Sequence, residues 1–350
     1  MNPTLAVVAC ILCGVGLDGC VQNPTSSSPE MPVPSAKGVY IVNEGNFGRG
    51  NASLSYYDLT ANHAYADVFQ AVNNRALGDV AASMAISGSR GYIVVNNSQR
   101  IEVIDIATNA SVGTIATGPG SSPRQMAFVD DSLALVTDLY NNAVLKVDLV
   151  SLIVLGSIPV GENPEGLVVE NGHAFVANSG FGSGNTVSVI DLGSMTVTKT
   201  IAVANNPQGM VLTPGGQIDV VCGGAYGNFS DPNDDTPAMI MVIDPSSLAL
   251  VDSVKIGGHV STMAVGGDGI GYIPAETEVL RIDTRSNTLT GRFVTGTYNG
   301  VGVESVSGDV YLSDPKSYIQ PGEVVVYSSM GVERTRFQVG LIPGSFAFKR

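Results

Sequence analysis

From residue 38 onward the chain is written in short apolar runs separated by polar turns, and one phrase recurs. Alternating apolar residues lead to an Asp: SYYD at Asp58, EVID at Asp105, LKVD at Asp148, SVID at Asp191, MVID at Asp244 and LRID at Asp283. A seventh copy, VVVYS, puts Ser328 in the Asp place. Neighbouring copies lie between 39 residues (Asp244 to Asp283) and 53 residues (Asp191 to Asp244) apart. Asp suits the first position of a turn, because its carboxylate accepts from the backbone N–H two residues on. A second β-rich run follows and commonly ends on Gly, at Gly118, Gly161, Gly257, Gly296 and Gly340. Then come short runs such as PRQMAFV, PEGLVVE and PQGMVLT, and fourth runs such as GYIVVN, LALVTD and HAFVAN. No helical period intervenes, so each unit reads as four short strands.

Four strands repeating at about 44 residues is the pattern of propeller blades, whereas a β-helix repeats at a far shorter period. The expected fold is all-β: a seven-bladed β-propeller of four-stranded blades over residues 38–350. The first unit begins with its second strand, at residues 38–43. Residues 342–348 (IPGSFAF) read like the first strand NPEGLVV. The C-terminal strand is therefore expected in blade one, closing the ring and removing a free sheet edge. The chain has no Trp and no GH…WD phrase, which excludes the WD type. Phrases such as HAFVANSG and NTVSVID instead resemble the YVTN/YncE-like bacterial propellers.

The N-terminal residues follow a different pattern. Residues 5–17 (LAVVACILCGVGL) are apolar, but a spanning helix needs about 20 such residues, so residues 1–19 are read as a signal peptide. Leu17-Asp18-Gly19-Cys20 resembles the lipobox of bacterial lipoproteins, which implies a lipid on Cys20. Asp18 stands where that family has Ala, Ser or Thr, and no Lys or Arg precedes the apolar run. The alternative is a cleaved signal and a secreted product. Residues 20–37 are rich in Pro and Ser and read as an extended tether.

Charge and cysteine content narrow the function classes. The net charge is −14 with no basic stripe, which argues against nucleic acid as a partner. Cys222 stands alone outside the leader, so no disulfide or zinc framework is encoded. Asp231, Asn233 and Asp235 match alternate ligands of a calcium loop. Thr236 replaces the Gly such a loop needs and Val242 its final Glu, so no metal is assigned. The three histidines, His63, His173 and His259, are scattered, and no Ser sits in a nucleophile elbow. No cofactor and no catalytic residue is assigned.

Connections between second and third strands gather on one face of a propeller, and binding residues concentrate on such loops. Here they are long: residues 43–51, 96–100, 138–142, 178–185, 223–237, 275–278 and 314–322. Blade five carries the longest, at 223–237. Aromatics mark the loop tips at Phe47, Tyr140, Phe181, Tyr226, Phe229 and Tyr318. Amides and guanidinium groups stand beside them, among them Asn96, Asn141, Arg49, Arg100, Arg75 and Arg124. A ring of aromatics among neutral hydrogen-bonding groups suits a broad amphipathic ligand with many amides. The competing reading is that Asn and Gly merely tolerate left-handed turns while the aromatics cap the blades.

The opening phrase GVYIVNEGNFGRGNASLSYYD (residues 38–58) resembles the start of Bacteroidetes surface propellers that include the BtuG-type cobalamin-capture lipoproteins. That resemblance implies an outer-membrane lipoprotein of the cell envelope that takes a corrinoid, cobalamin, for a TonB-dependent transporter. The ligand-binding residues would be Phe47, Arg49, Asn96, Arg100, Tyr140, Asn141, Phe181, Tyr226, Phe229 and Tyr318. Two other readings stand beside it: a surface scaffold that binds protein or glycan, and a propeller enzyme such as a lactonase or quinone-dependent dehydrogenase.

Overall fold

A computed structural model describes residues 37–227 and 234–350. The signal peptide, Cys20, the tether up to residue 36 and Phe229 lie outside the described residues. Seven four-stranded antiparallel sheets form the blades of a propeller. Blade one holds the strands Pro343–Lys349, Gly38–Asn43, Ser53–Asp58 and His63–Tyr65 in that spatial order.

Alternation along the strands builds the blade interfaces. In Arg90–Val95, Tyr92 and Val94 pack toward blade three, while Ile93 and Val95 pack toward blade one. Each interface has its own buried cluster. One holds Tyr92 and Val94 with Ala134 and Val136; another joins Val39 and Ile41 to Tyr311 and Val324. Burial of apolar surface at about 25 cal/mol per Å² makes these interfaces the main source of stability.

The recurring Asp does the work its position implied. Asp58 accepts from the N–H groups of Thr60 (2.8 Å) and Ala61 (2.9 Å), Asp105 from those of Ala107 (2.9 Å) and Thr108 (3.0 Å). Ser328 substitutes with its hydroxyl, which accepts from Val332 N–H at 3.2 Å. Backbone donors at Ser151, Ser194 and Ser246 hold the carboxyls of Asp148, Asp191 and Asp244 below the ordinary range. The recurring Gly has two causes. Gly118 takes a left-handed φ of 99°. Gly161 and Gly340 instead lie against the side chains of Asn178 and Asn43 in the next blade, where a Cβ would collide.

The C-terminal strand closes the ring. Pro343–Lys349 pairs antiparallel with Gly38–Asn43, setting Gly38 opposite Lys349 and Ile41 opposite Phe346. Among the described residues two short elements depart from the all-strand expectation, a 3-10 turn at Gly180–Gly182 and a helix at Val68–Asn73, the longer of the two. Asp67 caps the helix Val68–Asn73 by accepting from Gln70 N–H at 3.0 Å, and Asn74 ends it in left-handed conformation. The helix buries Val68 and Phe69 in the cluster between blades one and two, beside an outer strand of only three residues, His63–Tyr65.

Candidate functional site

The inner strands surround a polar cavity of about 390 Å³ to which all seven blades contribute. Ala82, Arg124, Glu165, Gln208, Ser261, Asn299 and Gly344 each come from the start of one inner strand or the residues just before it. The register against the second strand shifts at this level in blades two to five, at Ala81/Ser83, Pro123/Met126, Pro164/Leu167 and Pro207/Gly209. Such bulges re-aim a side chain, here toward the cavity. The ring is uneven, with long side chains from blades three to five facing Gly344 and Ala82.

Charge enters the cavity at three places. Arg124 Nε donates to Glu165 Oε2 at 2.8 Å. Burial works against the Arg124 charge, but Glu165, by attraction and hydrogen bond, and Glu44 outweigh it and hold the guanidinium charged. Glu44 lines the same cavity from the first loop of blade one. Burial pushes its carboxyl up, against the pull of Arg124 and a hydrogen bond from Asn299. A second cavity of about 300 Å³ shares Gln208, Ser261 and Asn299 with the first and reaches Tyr226, His259 and Tyr298.

Exposed aromatics stand on the loops of the propeller, where Tyr226 lines the second cavity and Tyr140 lies near enough to Arg124 to favour its charge. Phe47, Tyr140, Phe181, Tyr226 and Tyr318 are between 49% and 72% exposed, so they are not blade-capping core. They come together in groups. Tyr140 and Phe181 lie 6.3 Å apart between ring centroids, across the junction of blades three and four. Tyr226 stacks on His259 at 3.7 Å. The Phe47 loop meets the Tyr318 loop where Asn46 Nδ2 donates to Tyr318 O at 2.8 Å. Phe181 (φ 51°) and Tyr318 (φ 63°) both hold left-handed backbone, a conformation that bulky side chains rarely adopt and that clusters at functional sites.

Residues 37–225 match the family described as a domain of unknown function, DUF5074. The chain belongs to that family. No curated protein sequence matches it. Solved structures of low identity share the fold of this DUF5074 protein. Hydrazine synthase of Kuenenia stuttgartiensis is 17% identical over 76% of this chain and 88% of its own, with a TM-score of 0.63. A quinonprotein alcohol dehydrogenase-like protein of Bacteroides thetaiotaomicron is 15% identical over 90% and 79%, with a TM-score of 0.67. A functionally unknown protein of Desulfotomaculum acetoxidans is 16% identical over 89% and 98%, also at 0.67.

In the DUF5074 propeller the residues singled out from sequence divide into two groups. Phe47, Arg49, Tyr140, Asn141, Phe181, Tyr226 and Tyr318 reach the loop face with exposed side chains, or in the case of Asn141 an exposed turn position. Asn96 and Arg100 do not. Asn96 is buried, and its Nδ2 donates to Ser122 Oγ (2.8 Å) and Pro123 O (3.0 Å) of the next blade. Arg100 turns inward, with Nη2 donating to Leu77 O at 2.7 Å and Nε 3.7 Å from Glu102. Asn96 thus ties two blades, its amide nitrogen facing protein, while the Arg100 side chain keeps 30% of its surface exposed. Arg75 is likewise bound to Glu102, at 2.5 Å.

Sequence reasoning overlooked Glu44, Glu165, Gln208 and Asn299 in the cavity wall, and the partnership of His259 with Tyr226. A signal existed for two of them. The residue after the Pro that opens an inner strand is the one that lines the channel, in PRQ, PEG and PQG.

Proposed function

We propose that this propeller is a binding protein that captures an amphipathic, amide-rich small molecule on its loop face, with a corrinoid as the ligand. The observation that carries this is the set of exposed aromatic groups on the loops, of which Tyr226 lines a polar cavity and Tyr140 acts on Arg124 in the wall of another. Aromatic faces bury a flat apolar ring, while amide and hydroxyl groups in the cavity wall fix polar substituents. The resemblance of residues 38–58 to cobalamin-capture propellers supports the choice of ligand. In this reading the protein is a cell-envelope lipoprotein, anchored through Cys20, that delivers the ligand to a TonB-dependent outer-membrane transporter.

Calorimetric titration of residues 37–350 with cyanocobalamin tests the ligand. Saturable heat at micromolar concentration is expected, and it should vanish in the double variant Tyr140→Ala, Phe181→Ala. No heat from the parent protein overturns the corrinoid reading. Loss of a protein or glycan partner in the same variant, without any small-molecule heat, favours the surface-scaffold reading. For the anchor, labelled palmitate should enter the protein in cells and fail to enter a Cys20→Ser variant.

A further inference from the structure

We infer that the channel below the rim is itself a site for a compact organic cation, a primary ammonium group seated against the Glu44 carboxylate. The inference stands independently of what the rim binds.

The charges in the cavity do not balance. Arg124 is committed to Glu165 by its 2.8 Å hydrogen bond. Among the described residues Glu44 has no Lys, Arg or His nitrogen within ion-pair distance, and Asn299 supplies a neutral hydrogen bond to it. One guanidinium thus serves two carboxylates in a wall that is otherwise amide, hydroxyl and backbone. A partly buried carboxylate without a counter-ion takes up either a proton or a cation.

Space and acceptors are present for the second outcome. The cavity of about 390 Å³ is open beside Glu44. Gly344 lies directly under the Glu44 carboxylate, where any Cβ would strike it. Ser345 also lines the cavity, and its Oγ is buried without a hydrogen-bond partner. An ammonium carries three donors and no acceptor, so a carboxylate with a neighbouring free hydroxyl oxygen matches it. An anion meets two carboxylates there and is repelled.

The test is calorimetry and thermal shift on the full chain with n-propylamine, using 1-propanol and propionate at equal ionic strength as neutral and anionic counterparts, and KCl and CaCl₂ as inorganic cations. Propylamine alone should bind. Glu44→Gln should weaken it at least tenfold. Glu165→Gln should also weaken it, because Arg124 is released to neutralise Glu44. Arg124→Gln should tighten it, because two carboxylates then stand uncompensated. Equal heats from propylamine and propanol overturn the inference. So does an unchanged amine affinity in Glu44→Gln, or a response to the inorganic cations alone. If Glu44→Gln does not fold, the opposite signs expected for Glu165→Gln and Arg124→Gln decide the matter.

Discussion

Phe181 faces Tyr140 across the junction of blades three and four from a left-handed backbone, with φ at 51° and ψ at 39°. An L-residue in that region costs about 1–2 kcal/mol relative to right-handed backbone. Exposure of the ring means that core packing does not repay the cost. Phe181→Gly should therefore stabilise the propeller by about 1 kcal/mol in denaturant unfolding, less what the flexible Gly adds to the unfolded chain. The same variant should lose ligand affinity. A destabilised protein with intact binding would reverse the assignment of Phe181 to the site.

Asn96 makes the opposite prediction. Its amide joins blade two to Ser122 and Pro123 of blade three. Removing it leaves buried partners unmet at a cost of about 1–3 kcal/mol. Asn96→Ala should lower the melting temperature and leave ligand affinity unchanged. Asn141→Ala, which removes a half-buried bond to Asp138 but leaves that carboxylate its bond from Ser122 N–H, should lower stability less.

Asp219 predicts a pH dependence. It sits four residues before Gly223, as the apolar Tyr92, Leu135 and Phe175 sit four residues before Asn96, Leu139 and Ser179, whose N–H groups bond the preceding connection in the same way as that of Gly223. The side chain is fully buried, and neither carboxylate oxygen has a hydrogen-bond partner among the described residues. Burial pushes its carboxyl up to about 7 from 3.8. Between those values the native protein keeps a proton that the unfolded chain has released. Stability should thus fall as pH rises from about 4 to about 7 and stay flat above. Asp219→Val should flatten that slope and raise stability at pH 8 by up to about 4 kcal/mol. Urea unfolding of both proteins at pH 4 and pH 8 measures it, and parallel pH profiles would contradict the assignment.

Ring closure predicts the effect of truncation. Deleting residues 345–350 strips most of the strand that covers Gly38–Asn43 and exposes one sheet edge. The melting temperature should drop by several degrees. An unchanged melt would show that blade one holds without its inner strand.

Much of this was legible because a repeat samples one physical rule many times. Asp58, Asp105 and Asp148 each nucleate the same turn, so the pattern survives the Ser at 328. The closing strand was legible for the same reason, since IPGSFAF has the form of NPEGLVV. The cavity was not. Its wall takes a single residue from each blade, and Arg124, Glu165 and Gln208 differ in type, so no phrase recurs. Asn96 and Asn141 look alike in sequence. Only the blade geometry separates an amide turned between sheets from one at an exposed turn. The helix Val68–Asn73 is too short for its period to show, and it forms because Asp67 and Asn74 cap both ends.

The pairing of Gly38 with Lys349 also sets an order on folding. Those residues are 349 − 38 = 311 positions apart, and bringing the ends of so long a segment together costs about 5 kcal/mol of chain entropy. The other six blades are each built from neighbouring strands and can assemble as they emerge. Blade one waits for residues synthesised after all of them. Until then Gly38–Asn43 presents an unpaired edge, and the growing chain is most vulnerable to aggregation and proteolysis during that interval.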